Sequence, residues 1–237
     1  MVRVVASSTR GPAHARAGQP CQDAWLAVAD PDAALAVVCD GMGSRAHARQ
    51  GARAATLAAR DAWRLWQRSP VAPAEDLVRL LEVAWRVRLR SLAPNEAATT
   101  CLLYAEDGHG RAAFAQLGDG LVARRGADGA VAVHPSRAED FGATHALGTP
   151  HTPDSWSLAL AAPLGKGEAL VLATDGVSED LDRARIGDLA AWVIDELARR
   201  QSPGRLLAAE LRRWPVPHHR DDKTLLIMWK PWTPDRS

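Results

Sequence analysis

Cysteine is scarce in this chain of 237 residues: only Cys21, Cys39 and Cys101 occur. Their number is odd, their spacing is wide, and no CxxC pair exists. That pattern argues against a disulfide framework and against a thiolate zinc cluster. Cys39, inside an apolar run, reads as a small core residue. An excess of one charge sign is also missing. The formal net charge is +1, so no bulk field draws the chain to nucleic acid or to an anionic membrane. Arg199-Arg200 and Arg212-Arg213 read as solvated helix faces. No uncharged apolar stretch approaches the ~20 residues of a membrane span, and Met1–Ser8 lacks the apolar core of a signal peptide. A reducing cytoplasm is the expected setting. Internal repeats and low-complexity linkers are absent too.

What is present suits a globular fold. Hydrophobic residues make up 47% and charged residues 24%, enough apolar material for a substantial core. Against that background, four short acidic turns each adjoin an apolar run. They are Asp40-Gly41-Met42-Gly43, Gly118-Asp119-Gly120, Thr174-Asp175-Gly176 and Asp221-Asp222-Lys223-Thr224. The first three follow strand-like runs, and the fourth precedes Leu225–Trp229. Carboxylates spaced along the whole chain at strand ends can gather at one edge of a sheet, where they repel one another unless a cation sits between them. Carboxylate and backbone-carbonyl oxygens suit Mg²⁺ or Mn²⁺, and no soft-ligand cluster competes.

The order of elements is legible from periodicity. Strand-like runs at Val2–Ser8, Trp25–Ala29 and Ala34–Cys39 precede a helix over 46–68 and a second over 74–92. The second places Leu77, Leu80, Leu81, Ala84 and Trp85 on one stripe. Runs at 100–105, 111–116, 121–125 and 131–133 are separated by Asp-Gly pairs and read as an antiparallel meander. A polar loop, Pro135–Asp154, leads to strands at 156–161 and 169–174. Helices over 180–200 and 203–214 and a last strand, 223–229, follow. This arrangement predicts an α+β fold with helices layered on sheet faces, as one domain over residues 1–230 with a loose tail over 231–237. The nine tryptophans read as core formers, with Trp229 and Trp232 marking a candidate exposed patch.

The motif order resembles the protein phosphatase 2C (PPM) family of metal-dependent Ser/Thr protein phosphatases, in its bacterial subgroup. Gln22-Asp23-Ala24 resembles the family's early acidic motif, and Asp40-Gly41-Met42-Gly43 its Asp-Gly-Met-Gly-Gly. Ala98-Thr99-Thr100 resembles Gly-Thr-Thr, and Gly118-Asp119-Gly120 resembles Gly-Asp-Ser. Thr174-Asp175-Gly176 resembles Ser-Asp-Gly, and Asp221-Asp222-Lys223-Thr224 the closing Asp-Asn-x-Thr. The resemblance runs from Val4 to Met228. It implies a four-layer α-β-β-α sandwich of two antiparallel sheets flanked by helix pairs. It also implies two, or with a third site three, Mn²⁺ or Mg²⁺ ions. Asp40 would bridge two metals and the Gly41 carbonyl would bind one. Asp175 and Asp221 would bind the other, and Asp23 would act as a ligand or hold water around the pair. Asp119 would match the third, weaker site.

The implied reaction is hydrolysis of phosphoserine and phosphothreonine in proteins. Asp40, Asp175 and Asp221 would act through a metal-activated water, with a cognate Ser/Thr kinase as a possible partner and no nucleic acid or membrane. The alternative is a catalytically weak or inactive phospho-binding regulatory module on the same fold.

Four positions depart from the family pattern. Gln22 stands where many members have Glu, Met42 where eukaryotic members have a His, Ser44 for the second Gly, and Asp222 for Asn. The family's phosphate-binding Arg has no fixed counterpart. Arg10, His14 and Arg16 could each take its place, and the His-x-x-x-Gly-x-Pro-x-Gln-Asp spacing favours His14. His218 and His219 read as solvated loop residues.

Overall fold

A computed structural model describes residues 1–135, 145–214, 216 and 219–232. The strands are β1 (Arg3–Thr9), β2 (Ala24–Ala29), β3 (Ala33–Cys39), β4 (Cys101–Asp107), β5 (Ala112–Leu117), β6 (Leu121–Arg125), β7 (Val131–Val133), β8 (Ser157–Ala161), β9 (Ala169–Ala173) and β10 (Lys223–Trp229). The helices are α1 (Pro12–Arg16), α2 (Ala48–Trp66), α3 (Ala74–Leu89), α4 (Asp175–Ser178), α5 (Ile186–Trp192) and α6 (Pro203–Arg212). One sheet has the order β1-β10-β9-β6-β7 and the other β2-β3-β4-β5-β8. Every strand pairing in both is antiparallel.

The central strands alternate between two apolar environments, which is why they read as unbroken hydrophobic runs. Ala36 and Val38 on β3, Leu102 and Tyr104 on β4, and Leu226 and Met228 on β10 fill the space between the sheets. Their neighbours Val37, Cys39 and Leu103 pack under α2 and α3. Leu225, Ile227 and Trp229 pack under α5 and α6. A strand buried on both faces has no polar side to show. The result is the four-layer α-β-β-α sandwich that the resemblance implied.

On α2, Ala52, Ala55, Ala58, Ala59 and Ala62 form the buried face, and these small side chains let the helix lie close to both the sheet and α3. Near the end of the helix the buried Trp63 donates its indole N–H to the Glu106 carbonyl at 2.9 Å. Both long helices are shorter than their periodicity suggests. The chain leaves α3 at Arg90, which takes a positive φ of 56°. The helix expected from Asp180 begins at Ile186, after a short 3₁₀ turn at Arg183–Arg185, and ends in a π-helical turn, Val193–Leu197. Trp229 is 5% exposed, contrary to the expected patch, whereas Trp232 is 69% exposed. Cys39 and Cys101 are free and fully buried, and burial pushes the Cys39 thiol well up, which fits an inert packing role. Among the described residues no helix is long and apolar enough to cross a membrane.

The expected meander fails at one turn. β5 pairs with β4 and β8, whereas β6 pairs with β7 and β9, so Gly118-Asp119-Gly120 carries the chain from one sheet to the other. Gly118 and Gly120 take φ values of +96° and +112°, a backbone route open to glycine. The same Asp-Gly signal marks a hairpin and a change of sheet, and only the partners of the flanking strands tell them apart.

A cavity of about 260 Å³ lies between α3 and the segment that leads into β8. There the two ring nitrogens of His151 face the Thr149 carbonyl at 2.8 Å and Glu82 Oε1 at 3.0 Å, and the Trp156 indole N–H also donates to Glu82 Oε1 at 2.8 Å. Two acceptors around one imidazole favour its protonated form. Glu82 raises the His151 pKa, and His151 lowers that of Glu82. A histidine whose folded pKa is raised contributes stability below its unfolded value of about 6.5, and that contribution fades as pH climbs through the folded value. The melting temperature of the wild type should therefore fall more steeply between pH 6.5 and 8.5 than that of His151→Gln. Parallel profiles from differential scanning fluorimetry would contradict this pairing.

Candidate functional site

The ends of β3, β5 and β9 and the start of β10 meet at one edge of the sandwich. They bring Asp40, Asp119, Asp175 and Asp221 to a single cavity of about 270 Å³, together with Gly41 and His14. Residues from positions 14 to 222 thus share one wall. Of the other sequence candidates, Asp23 is buried behind this wall and 7% exposed. Arg16 lies exposed at the end of α1, away from the cavity lining. His218 lies outside the described residues, as do 136–144 of the polar loop and 233–237 of the tail.

Asp40 follows the last residue of β3 and is held by its backbone. Its N–H donates to Thr100 Oγ1 at 3.0 Å, and its carbonyl accepts from Thr99 Oγ1 at 2.7 Å and from the Thr100 N–H at 2.8 Å. Thr99 is in turn bridged to Gly41 and to Leu147. The Thr-Thr pair therefore clamps the turn that presents the Asp40 carboxyl. Asp175 opens α4, and its Oδ1 accepts the Gly176 N–H at 2.6 Å. A side chain on Gly176 would meet the Asp222 carbonyl oxygen at 2.0 Å, so glycine there lets α4 lie directly on the Asp221-Asp222 backbone.

Behind Asp40, Asp23 Oδ2 accepts the hydroxyls of Thr224 at 2.7 Å and Thr174 at 3.0 Å. Thr174 Oγ1 itself accepts the Thr224 N–H at 3.0 Å. Asp23 Oδ1 is buried without a partner. Burial pushes the Asp23 carboxyl up to about 7, and the charge of Asp222 adds to the rise although the hydrogen bonds oppose it. Asp40 is held well above the carboxylate range by burial first and then by the charges of Asp23 and Asp175. Asp23 and Asp175 make Asp40 harder to ionise, whereas the hydrogen bond from Asp40 acts the other way on Asp23.

Four contributors escaped the sequence reading. Asp222, noted only as a replacement for Asn, is 3% exposed. Its Oδ1 accepts the Gly11 N–H at 2.6 Å, and its Oδ2 accepts the Gln22 N–H at 2.6 Å and faces His14 Nδ1 at 2.9 Å. Glu179 is exposed and its pKa is raised by partial burial and by the charges of Asp175, Asp119, Asp221 and Asp180, which puts it on the same acidic face. Lys223 is 1% exposed. Burial lowers its pKa, against the pull of Asp180, Asp221 and Asp175. Its ammonium donates to His219 Nδ1, so His219 is a partner of Lys223 and not the solvated residue expected. For Glu179 and Lys223 nothing in the local sequence signals the role, which comes from tertiary placement.

The family profile described as Protein phosphatase 2C matches residues 10–214. The chain belongs to the protein phosphatase 2C family. Its fold is also that of several solved structures. The serine/threonine phosphatase of S. agalactiae superposes with a TM-score of 0.67 at 15% identity, over 97% of this chain and 100% of that one. The catalytic domain of the serine/threonine phosphatase PstP, in complex with two manganese ions, gives 0.65 at 20% identity over 96% and 97%. RsbX, in complex with magnesium, gives 0.60 at 15% identity over 96% and 94%. At these identities the likeness concerns the fold. A comparison with curated protein sequences finds no match.

Manganese and magnesium in those relatives raise the question whether the residues present fit such an ion. Among the described residues no three Asp, Glu, His or Cys side chains stand in a ready-made metal cage, although Asp40 feels the charges of both Asp23 and Asp175. The donor chemistry nevertheless fits. The cavity offers carboxylate oxygens and the Gly41 backbone, with no thiolate in its lining, a set suited to hard divalent cations. The buried, unpartnered Asp23 Oδ1 and the suppressed ionisation of Asp40 both mark a place where added positive charge would be stabilising.

Proposed function

We propose that this member of the protein phosphatase 2C family hydrolyses phosphoserine and phosphothreonine in proteins. The observation that carries this reading is the set of Asp40, Asp119, Asp175 and Asp221 around one open cavity, with the Asp40 backbone clamped by Thr99 and Thr100. Asp40 and the Gly41 carbonyl would hold one Mn²⁺ or Mg²⁺, with Asp40 bridging to a second held by Asp175 and Asp221. Asp23 would support the pair from behind, and Asp119 would contribute to a third, weaker site. When bound, paired divalent cations supply Lewis acidity that makes water nucleophilic near neutral pH and neutralises charge on the phosphoryl group.

The chain's own residues do the rest. Thr99 and Thr100 fix the turn bearing Asp40, so the carboxyl need not reorganise during the reaction. His14 lies on the cavity wall, beside the space that the phosphorylated side chain would enter. Water adds to phosphorus, the bond from phosphorus to the serine or threonine oxygen breaks, and phosphate and a free hydroxyl leave. A cavity of about 270 Å³ takes a phosphorylated side chain but not a folded partner, so recognition of the protein substrate falls to the rim. Residues 1–230 would form this one domain, acting in the cytoplasm on phosphoproteins, including the targets of a cognate Ser/Thr kinase, without nucleic acid or membrane.

A second reading, a catalytically weak phospho-binding regulator, is favoured by Gln22, a neutral residue whose buried Oε1 has no partner. Hydrolysis of p-nitrophenyl phosphate and of a phosphothreonine peptide separates the two. Turnover should require Mn²⁺, vanish with EDTA and fall by at least about 10³-fold in Asp175→Ala. Phosphopeptide binding without turnover would select the regulator.

A further inference from the structure

Asp222 offers two carboxylate oxygens to three N–H donors: the Gly11 and Gln22 amides and His14 Nδ1. An Asn at this position would present one acceptor oxygen and an NH₂ group that faces donors, so the donor count calls for a carboxylate. Because an ionised carboxylate only accepts, the His14 proton on this side sits on Nδ1, a tautomer assigned from the hydrogen-bond network. Nε2 is then the nitrogen left for other chemistry. It lies 3.8 Å from where a side-chain carbon on Gly43 would stand, beside the Asp40–Gly43 turn, and both His14 and Gly43 line the cavity. His14 is the one imidazole among the described residues of that lining. The other polar side chains there are carboxylates and the hydroxyls of Ser44 and Thr100, and Thr100 Oγ1 already accepts the Asp40 N–H. Met42, in the same turn, has no proton to give.

We infer that His14, oriented by Asp222, donates the Nε2 proton to the departing serine or threonine oxygen. This rests on the phosphatase reading and assigns one step within it. As water adds to phosphorus, the bond from phosphorus to the side-chain oxygen breaks. That oxygen takes its electron pair and the Nε2 proton of imidazolium His14, and leaves as a neutral hydroxyl. His14, now neutral, is reprotonated from solvent. Asp222 is a positioning residue: it keeps Nδ1–H engaged and so aims Nε2 at the cavity.

Leaving groups decide the matter. An alkoxide needs a proton to depart, whereas p-nitrophenolate does not. With the Mn²⁺-loaded full chain, His14→Ala should lower kcat on a phosphothreonine peptide by ~10²-fold or more and on p-nitrophenyl phosphate by less than about 3-fold. Added imidazole should restore peptide turnover selectively. Asp222→Asn should shift the ratio of the two rates in the same direction by about 10-fold. A folding defect would depress both rates and leave their ratio unchanged. Independently of turnover, long-range ¹H–¹⁵N spectra of the metal-free protein should show His14 protonated at Nδ1, and Asp222→Asn should disturb that state. Equal losses on both substrates would overturn the proton-donor role while leaving the phosphatase reading intact. Absence of turnover in the wild type would instead remove the phosphatase reading itself. An unprotonated Nδ1 would overturn the positioning role of Asp222.

Discussion

Asp40→Asn should abolish turnover and at the same time make the metal-free protein more stable at pH 8. The two effects share a cause. Asp40 and Asp23 are carboxylates whose folded pKa values lie above the unfolded ones, raised chiefly by burial, and Asp40 is raised further by the charges of Asp23 and Asp175. For such groups the stabilising contribution is fully present below the unfolded pKa of about 3.9 and is lost as pH rises through the folded value. For Asp23 that window runs from about pH 4 to about 7. The metal-free wild type should thus lose stability steadily across this range. Asn at position 40 removes the carboxylate whose ionisation is opposed by burial and by the charges of Asp23 and Asp175, so its profile should be flatter and cross above that of the wild type before pH 8. Urea unfolding in EDTA at a series of pH values measures this. Superimposable profiles would show that the carboxylates do not oppose one another. Turnover should meanwhile drop by at least about 10³-fold with Mn²⁺ present, since a neutral amide is a poor partner for a hard cation.

Gly176→Ala should produce the other large effect. The added carbon would stand 2.0 Å from the Asp222 carbonyl oxygen, a contact that backbone must relieve by moving. The two segments forced apart carry Asp175 on one side and Asp221 and Asp222 on the other. Overpacking of this kind costs about 1–3 kcal/mol or more, and a misplacement of about 1 Å in a reacting geometry can cost ~10²-fold in rate. Both losses should appear together, stability by urea unfolding and rate with p-nitrophenyl phosphate. A variant with native stability and native rate would mean that α4 and the start of β10 yield to one another freely, contrary to the packing seen here.

Much of this was legible in the sequence. Central strands such as β3, β9 and β10 are runs of five to seven residues beside acidic turns, and they are largely apolar because both their sides are covered. Asp40, Asp119, Asp175 and Asp221 could be foreseen as neighbours because each adjoins the end of such a run. What failed did so for tertiary reasons. Asp119-Gly120 carries a hairpin's sequence but changes sheets, and the distinction lies in the partners of β5 and β6. Asp222 looked like a minor replacement beside a more prominent Asp221. Its three N–H donors come from residues about 200 positions earlier in the chain, which no local pattern can anticipate. Glu179 and Lys223 have the same history: an exposed helix-end acid and a strand-initial lysine become part of the acidic face only once the sheets close.

The pairing of β1 with β10 has a consequence for the timing of activity during synthesis. His14 and Asp23 come from the start of the chain, and Asp221, Asp222 and Thr224 from near its end, joined by contacts spanning up to 216 residues. A ribosome that has made everything up to α6 holds a polypeptide with two helix-covered sheets in prospect but no competent centre. Such long-range closure is the slow part of folding. The proposed activity would therefore have to wait for the final strand to emerge, and a product cut short before Lys223 should be silent, not merely weak.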